Sequence, residues 1–220
     1  MSRDIRLEIL KKRQRHLKTL RRWQQYGRRM FSVIGALNVV TKGLSVRPQV
    51  RVEVARYFPI AAVACLEGYY EMVYADLINA GDPYTGNATA FKDVRLGVKE
   101  LLAVQCNETN VGELIAHQLP HNGLGDIDKN MSTLTGRDFL KELRDRKNFE
   151  SLCKEATERH TVHPVKLIER TFELRHIFCH ELATKVDPKI WEIRDTCFAS
   201  LCLMMATEYL LADYLPRRPG

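Results

Sequence analysis

The sequence lacks the signatures of several common classes of enzyme and of secreted domains. Its six cysteines include no Cys-x-x-Cys pair, so we expect reduced thiols rather than a disulfide framework. It contains no Gly-rich phosphate-binding loop, no Gly-x-Ser-x-Gly and no His-Glu-x-x-His. P-loop nucleotide hydrolysis, serine-hydrolase chemistry and zincin-type proteolysis are therefore not the expected functions.

Long hydrophobic runs are also scarce. The most apolar stretch, Cys197–Leu215, is interrupted by Glu208 and Asp213, which argues against a membrane span. The first residues lead into a basic run without an apolar core, so no secretory signal is expected. The 45% hydrophobic and 28% charged fractions are ordinary for soluble globular proteins. Because no secretory signal is expected and the cysteines are expected to be reduced, we expect a cytoplasmic protein.

Negative charge is nearly absent from the N-terminal segment. Residues 1–30 contain 11 Lys and Arg against two acidic residues, for a net charge of +9, whereas the other 190 residues carry −2. The segment is interpreted as an arm that contacts nucleic-acid phosphates, with Trp23 and Tyr26 as stacking groups. A solvated face of a packed helix and a membrane-surface helix are the alternatives. The predicted phosphate contacts are Lys11, Lys12, Arg13, Arg15, Arg21, Arg22, Arg28 and Arg29.

Hydrophobic periodicity predicts helices throughout, hence an all-α fold. Gln49–Val54 alternates with period two, but no second alternating run exists to pair with it, so a short helix is favoured over a strand. Thr135–Asp138 resembles a capping box that opens a helix ending at Asp145. The other predicted helices cover 3–40, 59–80, 90–104, 111–118, a segment reaching 159, 164–185 and 188–214.

The chemistry-bearing residues cluster late in the helix predicted to begin at Pro164. At 100° per residue, Arg175, Cys179, His176 and His180 share one arc of about 140°. Arginine binds phosphate oxygens with two parallel hydrogen bonds, and histidine takes or gives a proton near neutral pH. This arc therefore suits chemistry on a phosphodiester, with Leu174, Ile177 and Phe178 expected to anchor the opposite side of the helix.

Two other interpretations of this arc are open. His176 and His180, four residues apart, could hold a metal ion with Glu173 or Glu181, but no further cluster completes such a site and Arg175 would repel a cation. The arc could also be a polar seam in a helical bundle. The remaining histidines near 117–121 and 160–163 are expected on the surface, and Glu67, within an apolar helix, is expected to be a buried structural carboxylate.

The pattern Arg175-His176-Ile-Phe-Cys-His180 resembles the motif of the HEPN superfamily, an Arg followed by Asn, Asp or His, with four to six residues between the Arg and a later His. Ala61–Tyr70, with Glu67 before aromatics, resembles an early helix of that family. The resemblance covers about residues 50–215. It implies a helical bundle, metal-independent cleavage of RNA with no cofactor, and a two-fold homodimer in which two motifs face one cleft.

The resemblance also implies roles and partners. His180 would be the acid and base, Arg175 would stabilise the charged phosphorane, and His176 would orient or assist. Such nucleases often act as toxins or antiviral defence effectors, restrained by an antitoxin or another regulatory partner. The alternatives are a non-catalytic HEPN-like module that binds a protein or nucleic acid, and a basic regulator that binds DNA. The chain is predicted to comprise an arm at 1–45 and a HEPN-like helical domain at 46–220.

Overall fold

In the computed structural model, which describes residues 22–42, 47–157, 163–180 and 189–215, every regular element of these ranges is helical. The predicted all-α class is therefore confirmed. A π-helical turn at Trp23–Gly27 precedes the first α-helix. The α-helices are α1 (Arg28–Lys42), α2 (Pro48–Ala55), α3 (Tyr57–Asn79), α4 (Tyr84–Ala88), α5 (Val98–Gln105), α6 (Val111–Gln118), α7 (Leu124–Thr135), α8 (Phe139–Asp145), α9 (Lys147–Ala156), α10 (Pro164–His180) and α11 (Ile190–Tyr214).

Several predicted helices have the expected bounds. α6 occupies the predicted residues, where Asn110 and Glu113 form a reciprocal capping box. α10 begins at Pro164 and α11 ends at Tyr214, as the sequence indicated. The alternating stretch at 49–54 lies in α2, so the preference for a helix over a strand is confirmed. Of the predicted helix at 3–40, the part before residue 22 lies outside the described residues.

Two predicted helix starts are wrong. The helix expected from Ala90 begins only at Val98, because the chain before it is irregular and the backbone N–H of Arg95 donates to the Gln118 side chain. Thr135 was expected to open a helix but is the last residue of α7, where its hydroxyl donates to the Met131 carbonyl. Gly136 (φ +67°) follows in the left-handed conformation that ends helices, so the next helix starts at Phe139.

The described residues divide into two compact units, one with Arg22 and residues 69–140, the other with the described residues of 23–68 and 141–215. The division passes through α3, whose first part, up to Gly68, belongs to the second unit. The arm at 1–45 and the domain at 46–220 stay a prediction.

α11 is the central helix of the second unit. It packs against α1, α2, α9 and α10, and most of its side chains are buried. Among the described helices it alone is long and apolar enough to cross a membrane, by length and composition. Of its most apolar window, 72% is buried inside the protein, as in the core helix of a globular domain.

Buried hydroxyl groups join α10 to α11. The Thr171 hydroxyl lies 3.0 Å from the Leu167 carbonyl, 3.2 Å from the Thr196 carbonyl and 3.3 Å from the Ser200 hydroxyl. The Ser200 hydroxyl donates to the Thr196 carbonyl of its own helix. Because these groups are satisfied within the interface, they fix the register of α10 on α11 without the cost of a buried unpaired polar group.

The core of the first unit contains a cluster of aromatic residues. Tyr69, Tyr70, Tyr74 and Phe139 are all buried, and the Tyr70 ring meets Tyr69 and Phe139 edge to face with centroids 5.1 and 6.3 Å apart. Such edge-to-face pairs add specific geometry to the area that large rings bury. This cluster holds the second part of α3 in place.

Candidate active site

α10 presents its motif residues because its other face is buried. Leu167, Ile168, Phe172 and Leu174 lie in the core of the second unit. Leu174 anchors the helix as expected, whereas Ile177 and Phe178 are only half-buried. The arc opposite this buried face is therefore displayed toward solvent near the C-terminal end of the helix.

The three candidate catalytic side chains lie together on that arc. Arg175 is half-buried, and His176 and His180 are exposed. The imidazole centroids of the two histidines are 4.9 Å apart, with their planes at 47°. Both rings thus reach the same small region of solvent beside the helix.

A carboxylate from α3 holds the motif arginine. Nη2 of Arg175 donates to Oε1 of Glu67 at 2.6 Å, and the two side chains are 23% and 28% exposed. The contact uses one nitrogen of the guanidinium, Nη2. Glu67, expected to be a buried structural carboxylate, is instead partly exposed and beside the motif. The sequence signal was an acid placed among apolar residues of α3.

The α3 segment next to Glu67 is packed tightly. A Cβ added at Gly68 would lie 2.5 Å from the Tyr26 ring, so only glycine permits this approach. Tyr26, predicted as a stacking group, is therefore used in packing. Burial raises the pKa of Cys65 to about 11, although the nearby Arg29 guanidinium acts to lower it, so this thiol is protonated at neutral pH.

The other acidic residue near the motif is already engaged. Arg170 donates to Glu192 at 2.7 Å and to Glu173 at 3.0 Å. Burial acts to lower the pKa of Arg170, but the hydrogen bonds to the two carboxylates outweigh it and raise the pKa. Glu173, considered above as a metal ligand, is thus paired with Arg170, while Glu181 lies outside the described residues.

Of the predicted phosphate contacts, three are in the described part of the chain. Arg22 is mostly buried and its Nη1 donates to Asp76 at 2.5 Å. Arg28 and Arg29 are exposed residues of α1. The five that lie outside the described residues are Lys11, Lys12, Arg13, Arg15 and Arg21.

The other histidines differ in their surroundings. His117 was expected on the surface, but its side chain is only 13% exposed and its Nδ1 lies 3.0 Å from Oε1 of Glu71. This expectation is therefore wrong, because helix packing encloses the pair. His163 is exposed as predicted, and His160 lies outside the described residues. Within the described ranges, no group of three or more His, Cys, Asp or Glu residues is arranged to hold a metal ion.

The arrangement combines a positioned guanidinium with two neighbouring imidazoles at a surface. A guanidinium binds phosphate oxygens, and imidazoles transfer protons at neutral pH. The chain matches no model of a known protein family, no curated protein and no solved structure.

Proposed function

We propose that this protein is a metal-independent endoribonuclease of the HEPN type, with Arg175, His176 and His180 as its active site. The observation that carries the proposal is the Glu67–Arg175 ion pair. It joins, across 108 residues, the two segments on which the resemblance rests. A chance match of a short motif would give no reason for these two segments to meet.

The reaction would be transesterification within the RNA. The ribose 2′-oxygen attacks the adjacent phosphorus and loses its proton to an imidazole, the bond from phosphorus to the 5′-oxygen breaks, and that oxygen takes a proton from an imidazolium. The products are a 2′,3′-cyclic phosphate and a 5′-hydroxyl, with no net proton consumed. His180 supplies the acid and base, His176 orients or assists, and Arg175 stabilises the charge that develops on the phosphorane.

Glu67 would be a positioning residue that acts through Arg175. We expect Glu67→Ala to lower kcat for RNA cleavage by roughly 10- to 100-fold, because small misplacements of a catalytic group are costly. Glu67→Gln keeps an oxygen acceptor for Nη2 and should recover part of the loss. Single-turnover cleavage rates measure both variants. Equal rates for wild type, Glu67→Ala and Glu67→Gln would remove Glu67 from the mechanism.

The test of the function is incubation of the purified protein with mixed RNA, with and without EDTA. Cleavage should persist in excess chelator and leave cyclic or terminal phosphate on the 3′ side. A His180→Ala preparation, purified identically, controls for contaminating ribonuclease. Loss of cleavage on chelation, restored by zinc or manganese, would instead make His176 and His180 metal ligands. No cleavage under any condition would favour the non-catalytic binding module.

The same proposal includes a partner and a setting. A two-fold homodimer would place two copies of the motif, with two Arg175 and two His180, around one phosphate. A toxin or defence effector of this kind would be restrained by an antitoxin or a regulatory ligand. Both statements rest on the resemblance described above.

A further inference from the structure

The second unit carries a group of large apolar side chains that the fold leaves uncovered. Phe31 and Val39 of α1 are 53% and 72% exposed, Val50 and Val54 of α2 are 49% and 37% exposed, and Tyr57 is 63% exposed. α1 contacts α2, and Tyr57 is the first residue of α3. We call these five residues, together with Trp23, Arg28 and Gly35, the α1–α2 face.

The aromatic end of this face is held in a fixed geometry. A Cβ added at Gly27 would lie 3.0 Å from Cδ2 and Cε3 of Trp23, so the indole ring rests directly on the glycine. The Phe31 ring meets Trp23 edge to face, with centroids 6.3 Å apart and planes at 83°. Phe31 is therefore both exposed and supported from one side, as a rigid stacking surface requires.

The next turn of α1 carries a glycine, Gly35, whose surface is open. A Cβ added at Gly35 would meet no atom of the described residues within 4 Å. Residues 31, 35 and 39 are spaced one turn apart, so Phe31 and Val39 stand roughly 12 Å apart along the helix with open space between them. Helical side chains lean toward the N-terminus, which tilts Phe31 onto Trp23 and away from Gly35. A flat group of base size can therefore lie over Gly35 against Phe31.

The charge of this region selects the partner. Residues 23–68, the segment of the second unit that contains α1 and α2, hold six basic residues against Glu53 and Glu67, for a net charge of +4. A second copy of the same face would bring like charges together, which disfavours self-association through it. Exposed aromatic rings among cationic side chains are instead typical of surfaces that bind single-stranded nucleic acid. Of the basic residues, Arg28, Arg29, Lys42 and Arg47 are exposed, Arg51 is half-buried, and Arg56 donates to Glu53 at 2.8 Å.

We infer that the α1–α2 face binds single-stranded RNA, with a base stacked on Phe31 over Gly35 and a phosphate on Arg28. Arg28 is exposed and lies three residues before Phe31, on the same side of the helix. The choice of RNA over DNA rests on the proposed function. The face would hold the substrate at a distance from the scissile phosphate and so contribute to affinity rather than to chemistry.

The test measures binding of a fluorescent 2′-O-methyl oligoribonucleotide, which cannot be cleaved, by anisotropy. Phe31→Ala should weaken binding roughly 5- to 100-fold, as for the loss of one stacked base. Gly35→Leu should weaken it by filling the space over α1, without harming the fold, because nothing lies within 4 Å. Arg28→Gln should lower the slope of log affinity against log salt by about 0.7.

The matched control is Gly125→Leu. Gly125 lies in α7 of the other unit, and a Cβ added there also meets nothing within 4 Å. Gly125→Leu should bind RNA like wild type, with circular dichroism showing that both glycine variants remain folded. Wild-type affinity in Phe31→Ala and Gly35→Leu would overturn the inference. DNA binding with the same dependence on Phe31 would support it, since stacking does not read the 2′-hydroxyl.

Cleavage assays separate this inference from the proposed function. A dinucleotide too short to reach the α1–α2 face should be cleaved at the same rate by wild type and Phe31→Ala. For long RNA, the KM of Phe31→Ala should be higher than that of wild type. RNA binding that depends on Phe31, without any cleavage, would refute the proposed nuclease activity and support RNA binding by the α1–α2 face. Cleavage of long RNA with an unchanged KM in Phe31→Ala would support the nuclease activity and refute RNA binding by this face. RNA binding by the α1–α2 face would also be refuted if the protein did not bind RNA and Phe31 instead mediated binding to anionic vesicles or dimerisation.

Discussion

Replacing either His180 or Arg175 by alanine is expected to reduce RNA cleavage by about 10²-fold or more. The histidine transfers the protons, and the arginine neutralises the phosphorane. Both variants should remain folded, because His180 is exposed and the Arg175–Glu67 pair is partly solvated, where an ion pair contributes at most about 1 kcal/mol. Single-turnover cleavage and thermal unfolding by circular dichroism measure the two effects separately.

A matched control lies on the same helix. Arg170 is also a half-buried arginine of α10 paired with carboxylates, Glu192 and Glu173. Arg170→Ala should lose comparable ion pairing but keep most of its cleavage activity, since Arg170 lies outside the motif. An equal loss of activity in Arg170→Ala and Arg175→Ala would mean that the arginine acts through helix stability.

Mixed dimers of the same variants test whether the site is shared. Arg175→Ala paired with His180→Ala leaves one Arg175 and one His180, on opposite protomers, and both copies of His176. If two motifs surround one phosphate, this heterodimer should be more active than either homodimer. If each protomer works alone, the heterodimer should recover nothing. A fully active monomer in light scattering would refute the shared cleft.

The largest loss of stability is expected from Phe139→Ala. Phe139 is 1% exposed and meets Tyr70 edge to face, so its removal leaves a cavity in the aromatic core of its unit. The free energy of unfolding should fall by about 3–5 kcal/mol, as for other buried phenylalanines. Phe31→Ala makes the same chemical change at a 53% exposed position and should cost far less. Urea denaturation of both variants measures the difference. An equal loss of unfolding free energy in the two variants would contradict the burial of Phe139 and the exposure of Phe31.

Local sequence patterns were sufficient for the elements that depend on neighbouring residues. The predicted bounds of α6 are those of the structure, where a capping box forms its start, and the start of α10 follows from Pro164, because a first-turn N–H would have no partner within the helix. A local pattern gives the wrong boundary where the same residues are common at both ends of helices. The pattern Thr135–Asp138 predicts a helix start, but Gly136 adopts the left-handed conformation that ends the preceding helix.

The sequence by itself determined that the protein is all helical and that Arg175, His176 and His180 lie on one arc, because helical periodicity is a property of consecutive residues. Tertiary structure decided what meets that arc. Glu67 contacts Arg175 across 108 residues, and His117 is enclosed with Glu71. Both contacts are set by the packing of helices that are distant in sequence, and the spacing of neighbouring residues does not predict such packing.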